Sequence, residues 1–145
     1  MRLNSVSPKV FRFIVLHTLS LCALALTPVA AWAQSQLPPK MQGKWKSTVL
    51  GRDGTSTVEL VKLDSDDKAQ VRVTIIDAIS YHGRWCDFGT SDAIANRSGD
   101  SWVISVPHRR CASYLITIHR IEAMQRFEGT YTNEADGAGT IFYEW

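Results

Sequence analysis

From Gly43 onward, apolar and polar residues alternate in short runs, and turn-forming residues punctuate them. Lys44 to Leu50 is the first run, closed by Gly51-Arg52-Asp53-Gly54. Thr57 to Leu63 sets Val58 and Leu60 against Thr57 and Glu59, and Asp64-Ser65-Asp66-Asp67-Lys68 interrupts it. Val71, Val73 and Ile75 then share one side, with Arg72 and Thr74 on the other. A period of two places successive side chains on opposite faces of a strand, so each run predicts a strand with one face toward a core. The connections are tight and polar, which predicts antiparallel pairing of consecutive strands in a meander.

The second half continues in the same way. Ser80 to Cys86 places Tyr81 and Trp85 opposite His82, Arg84 and Cys86, and Ser91 to Arg97 is a weaker run. Arg97-Ser98-Gly99-Asp100 turns the chain into Trp102, Ile104 and Val106, and Pro107 stops that strand because it has no amide proton for a ladder. In Ala112 to Ile121, Tyr114, Ile116 and Ile118 face away from Leu115, Thr117 and His119. Arg126 to Thr132 and Gly139 to Trp145 form a last hairpin. Glu122-Ala123-Met124-Gln125 allows one helical turn at most, and no longer stretch carries a helical apolar stripe. The expected fold is all-β: an antiparallel meander of eight or nine short strands closed into a small barrel, with a β-sandwich as the alternative. Closure is favoured because an open meander exposes two edges, which pairing of Lys44–Leu50 with Gly139–Trp145 removes.

The first 33 residues follow a different pattern. Arg2, Lys9 and Arg12 precede an apolar run from Phe13 to Leu26, and Ala31-Trp32-Ala33 ends the segment on small residues. This is the pattern of a secretory signal peptide cut after Ala33, too short in its apolar part for the roughly 20 residues of a membrane span. Cys22 leaves with it; the bulky Leu21 before it argues against a lipoprotein site. The domain organisation is therefore a signal peptide at 1–33, a flexible leader at 34–42 containing Pro38-Pro39, and a single barrel domain at 43–145. The signal takes basic residues and no acidic one, so the formal charge of +2 reflects targeting. The remainder is near neutral, which implies no general attraction to nucleic acid or an anionic membrane. Export predicts a periplasmic or secreted protein, with no stable membrane span once the signal is gone.

Compartment also bears on the two remaining cysteines. In an oxidising space Cys86 and Cys111 are expected to join, and closing a loop of about 25 residues contributes roughly 3 to 4 kcal/mol in the chain-entropy model. A zinc site from His82, Cys86, His108 and Cys111 has suitable spacing but needs reduced thiolates. Metal scavenging through His82, His108 and His119 is the corresponding functional alternative. Around the expected bridge lies the densest basic group, Arg84, His108, Arg109 and Arg110, with His119 and Arg120 farther along and Trp85 and Tyr114 nearby. Planar arginine forks beside aromatic rings suit a carboxylate, phosphate or sulfate group. The competing reading is a solvated turn. Trp45, Trp85, Trp102, Tyr81 and Tyr114 could line a cavity, though large aromatics more often fill a small core.

Catalytic and calcium signatures are weak. Asp64, Asp66 and Asp67 lack the glycine and closing glutamate of a calcium loop. No Gly-x-Ser-x-Gly occurs, and His82 with Asp87 or His108 with Asp92 are acid/base pairs that no spacing demands. The chain is read as a non-catalytic binding module with no cofactor. It is expected to take a small or lipidic molecule or an anionic glycan, at Arg84, Trp85, His108, Arg109, Arg110 and Tyr114. The alternative is a protein-binding envelope factor such as a hydrolase inhibitor.

Gly43-Lys44-Trp45 resembles the Gly-x-Trp opening of calycin barrels, the group of lipocalins, fatty-acid-binding proteins and avidins, and Phe127-Glu128-Gly129-Thr130-Tyr131-Thr132 is similar to avidin-type strands. The chain also looks like small secreted lipocalin-like domains of bacteria. The resemblance implies a barrel in which the tryptophan packs under an arginine from the last strand. Gly139 to Trp145 contains no arginine, so Arg126, one strand earlier, takes that role, and Gly43, Trp45 and Arg126 become the expected closing residues.

Overall fold

The computed structural model describes residues 36–81, 84–108, 111–135 and 137–145, with backbone alone for 77–81 and 84–87. The strands are β1 (Lys40–Ser47), β2 (Asp53–Ser65), β3 (Lys68–Tyr81), β4 (Arg84–Ser98), β5 (Ser101–Val106), β6 (Tyr114–Ile121), β7 (Arg126–Asn133) and β8 (Gly137–Glu144). Each pairs antiparallel with the next, and β8 pairs with β1, so the meander is a closed barrel and the sandwich is set aside. Glu122 to Gln125 is a turn.

Two runs of the sequence, 80–86 and 91–97, are not separate strands. The first spans the β3–β4 corner and the second is the body of β4. Gly89, with φ +66°, and a register shift between Ile75 and Ala78 interrupt the alternation there while the ladder continues around it. A bulge of this kind hides one strand as two in the pattern. At the other end, β1 begins at Lys40, inside the expected leader. Leu37 and Met41 are buried in the core, and the Pro39 carbonyl accepts a hydrogen bond from the Leu60 amide at 2.9 Å.

Closure depends on close backbone approach. Gly43 lies opposite Tyr143 in the β1–β8 ladder, and a Cβ at Gly43 would collide with the Phe142 carbonyl oxygen. Inward positions fill the barrel with Trp102, Tyr131, Tyr143, Phe127 and Met41, each almost wholly inaccessible. One hydroxyl pair lies among them, Tyr143 Oη to Ser56 Oγ at 2.9 Å. Burial pushes the Tyr143 phenol above its ordinary range, with the Ser56 hydrogen bond opposing in part.

Outward positions are largely polar. Lys40, Glu59, Arg72 and Asp92 stand opposite one another across β1 to β4 with alternating charge, with Lys40–Glu59 at 2.8 Å and Arg72–Asp92 at 3.2 Å. A hydrogen bond from Lys40 and its charge hold the Glu59 carboxyl below the usual carboxylate range. Among the described residues no helix is long and apolar enough to cross a membrane.

The arrangement expected for Arg126 is not the one found. Phe127 points into the barrel, so Arg126 points out, where its guanidinium lies 4.0 Å from the Phe142 ring centroid and pairs with Glu128 at 2.8 Å and Glu144 at 3.5 Å. Trp45 points inward, against Tyr131 and over Gly54, where a Cβ would meet the indole at 2.6 Å. The two side chains lie on opposite sides of the wall.

Candidate functional site

The barrel wall is uneven between β4 and β5. Pairing there runs only from Ile94↔Ser105 to Ser98↔Ser101, whereas β4 pairs with β3 as far as Tyr81↔Arg84. Pro107 supplies the cause, since it cannot donate to a ladder and β5 ends just before it. Beyond Ile94, β4 continues toward Arg84 with β3 as its strand partner among the described residues.

An open groove of about 820 Å³ crosses the wall where β4 and β5 part, its lining running from Val61 on β2 and Arg72 on β3 through Asp92, Ile94, Ser105 and Pro107 to Leu115 on β6 and Thr132 on β7. Ile94 is 37 % exposed and Leu115 46 % exposed. Each occupies the side of its strand that the alternating pattern otherwise fills with polar residues. Ala93, Val106 and Tyr114 are buried, so the groove has an apolar floor and a mixed rim.

Above the groove, the turn between β5 and β6 is held by His108. The Cys111 amide donates to His108 Nδ1 at 2.7 Å, and His108 Nε2 lies 3.1 Å from the Phe88 carbonyl oxygen on β4. An amide can only donate, so Nδ1 accepts and the ring proton sits on Nε2, which donates to Phe88: the neutral Nε2–H tautomer satisfies both contacts. The His108 amide also donates to Ser113 Oγ at 3.4 Å. Beneath them runs a chain of rings, His108 to Phe88 at 4.7 Å, Phe88 to Tyr114 at 5.0 Å, Tyr114 to Tyr131 at 5.6 Å and Tyr131 to Trp45 at 6.1 Å. The turn is thereby tied to β4 across the gap that Pro107 opens.

Of the residues the sequence singles out, Tyr114 lines the groove and His108 organises the turn above it. Cys111 is buried, 3 % exposed, at the foot of that turn. Arg109, Arg110 and His82 lie outside the described residues, as do the side chains of Arg84, Trp85 and Cys86 and the whole of 1–33. His119 lies toward the far end of β6, opposite Glu128, away from His108. Among the described residues no group of three histidine, cysteine or acidic side chains is placed to hold a metal. The imagined His108–Asp92 acid/base pair does not form: His108 uses its nitrogens on Phe88 and Cys111, and Asp92 pairs with Arg72. Asp64 bonds Gln70 and Lys62, as a polar turn does.

The groove itself was not among the expected features. Its signals in the sequence are Pro107, which ends a strand early, and Ile94 and Leu115, large apolar residues out of phase with the inward set. No family model, curated protein or solved structure matches this chain.

Proposed function

We propose that this chain is an exported, non-catalytic binding module that recognises a partner protein with its outer wall, at the groove between β4 and β5 and the His108 turn above it. The observation that carries the reading is the contrast between the two sides of the wall. The interior is packed with large side chains, while the groove outside is open, with an apolar floor and exposed Ile94 and Leu115 on its rim. A filled core favours surface recognition over carriage of a small ligand inside.

Export rests on the N-terminal segment, whose charged start, apolar run and small-residue end suit a signal peptide. In that compartment Cys86 and Cys111 form a disulfide. Its support is that His108 bonds both the Cys111 amide and the Phe88 carbonyl, two residues from Cys86 on the same strand. Arg109 and Arg110, between His108 and Cys111, supply cationic forks that would meet an acidic partner surface or an anionic glycan.

The test is capture from envelope extract on the purified mature chain, with mass determination of the native complex. A stoichiometric protein partner that Ile94→Arg/Leu115→Arg releases, at unchanged melting temperature, supports the reading. Absence of a partner, with thermal stabilisation by a lipid or an anionic glycan that Arg109→Ala/Arg110→Ala abolishes, replaces it by the small-ligand reading.

A further inference from the structure

We infer that a second copy of this chain docks on the outer wall of β1 to β4, forming a symmetric pair that salt dissociates. This goes beyond the partner-protein reading and stands on a different observation, the order of charges along one row of that wall. Lys40↔Glu59, Glu59↔Arg72 and Arg72↔Asp92 are successive register partners, so the row reads plus, minus, plus, minus across four adjacent strands. Lys40 pairs with Glu59 at 2.8 Å and Arg72 with Asp92 at 3.2 Å, and among the described residues no ion pair joins Glu59 to Arg72. The four side chains are between 42 % and 81 % exposed, which leaves each of them surface for a second partner.

An alternating row with an even number of charges is complementary to its own reverse. A two-fold axis running along the strands, midway between β2 and β3, turns the row end for end on the facing copy. It sets Lys40 against Asp92 of the second copy and Glu59 against Arg72 of the second copy. Every charge then has one opposite neighbour in its own chain and another across the interface, a network rather than a set of isolated surface pairs. An isologous contact requires this self-complementarity, and an unrelated partner would need the same four charges at the same spacing. The flanking rows permit the approach. On one side Thr57, Thr74 and Thr90 are register partners with short side chains, Thr74 and Thr90 joined at their hydroxyls at 2.9 Å. On the other side the exposed Val61 and Ile94 add apolar surface to the contact. Arg72 and Asp92 also line the groove, so a second copy and an envelope partner exclude each other at that edge.

Sedimentation equilibrium on the chain without its first 33 residues tests this with charge-reversed variants. A dimer is expected whose dissociation constant rises at least tenfold between about 20 mM and about 0.5 M salt, as the screening length falls from roughly 20 Å to about 4 Å. Glu59→Arg turns the row into plus, plus, plus, minus, and Arg72→Glu turns it into plus, minus, minus, minus. Each variant brings like charges together at the centre of its own pair, and its dimer is expected to weaken at least tenfold. Mixed in equal amounts, the two variants are complementary at all four positions and are expected to associate as a heterodimer. Should a reversal lower the melting temperature of the monomer, Glu59→Gln and Arg72→Gln remove the central pair without repulsion and are expected to weaken the dimer and flatten its salt dependence.

A chain that stays monomeric at millimolar concentration in low salt overturns the inference. So does a dimer indifferent to salt and to both reversals, or a mixture of the two reversed variants that fails to associate. None of these results bears on envelope capture sensitive to Ile94→Arg/Leu115→Arg, so the partner-protein reading survives loss of the dimer. Capture that yields no partner removes that reading and leaves the dimer standing.

Discussion

Tyr143 and Ser56 place two hydroxyls inside an apolar barrel, and their energy lies in having each other. Removing one leaves the other buried and unpaired, which costs about 1 to 3 kcal/mol, whereas removing both replaces a polar pair with an apolar contact. Tyr143→Phe and Ser56→Ala are each expected to destabilise the fold by that order, and the double variant by clearly less than their sum, as read from denaturant unfolding. Burial raises the phenol's pKa in the folded state, so its contribution to stability is fully present below the unfolded tyrosine value of about 10 and is lost as pH rises above it. Alkaline unfolding should therefore be shifted to higher pH in Tyr143→Phe relative to the stability of that variant at neutral pH. His108 is a second residue whose role is local and measurable. His108→Ala removes the acceptor of the Cys111 amide and the donor to Phe88. It should lower stability by about 1 to 3 kcal/mol and speed amide exchange at Cys111, with little change in β7 and β8.

At the scale of elements, the alternation of apolar residues makes most strands legible from the chain alone, because a period of two is specific to one-sided burial. It fails where the backbone departs from a plain ladder. The positive φ of Gly89 and the bulge of β3 opposite Phe88 split β4 into two apparent runs, and the prolines before Lys40 mask the start of β1. The expected closing arginine illustrates a different limit. Arg126 and Phe127 are neighbours, and only the inward direction of Phe127 decides that the guanidinium lies outside, over Phe142 and between Glu128 and Glu144. Arg126→Ala is therefore expected to cost no more than about 1 kcal/mol, as partly exposed ion pairs and cation–π contacts do. It should leave the fluorescence of Trp45, isolated by replacing the other tryptophans, unchanged. A large loss of stability with a shifted Trp45 spectrum would instead support packing of the arginine beneath the indole.

For the whole molecule, barrel closure and a packed interior are what favour the proposed recognition on the outer wall, and the premature end of β5 at Pro107 marks the proposed place for it. The His108 turn was legible as a basic, aromatic-flanked segment. The groove was not, because it arises from two strands of unequal length lying side by side, and a single strand's pattern carries no information about its neighbour's end. The outer wall carries the alternating row of Lys40, Glu59, Arg72 and Asp92, and Ile94 and Leu115 add exposed apolar surface to it, as Val61 does on β2 and Ile76 on β3. The most direct measurement is the affinity of the proposed envelope partner for the chain without its first 33 residues, compared with Ile94→Arg/Leu115→Arg in the same chain. The account predicts at least a hundredfold loss with the melting temperature preserved. Undiminished binding by that variant, or a ligand recovered from within the barrel, would contradict it.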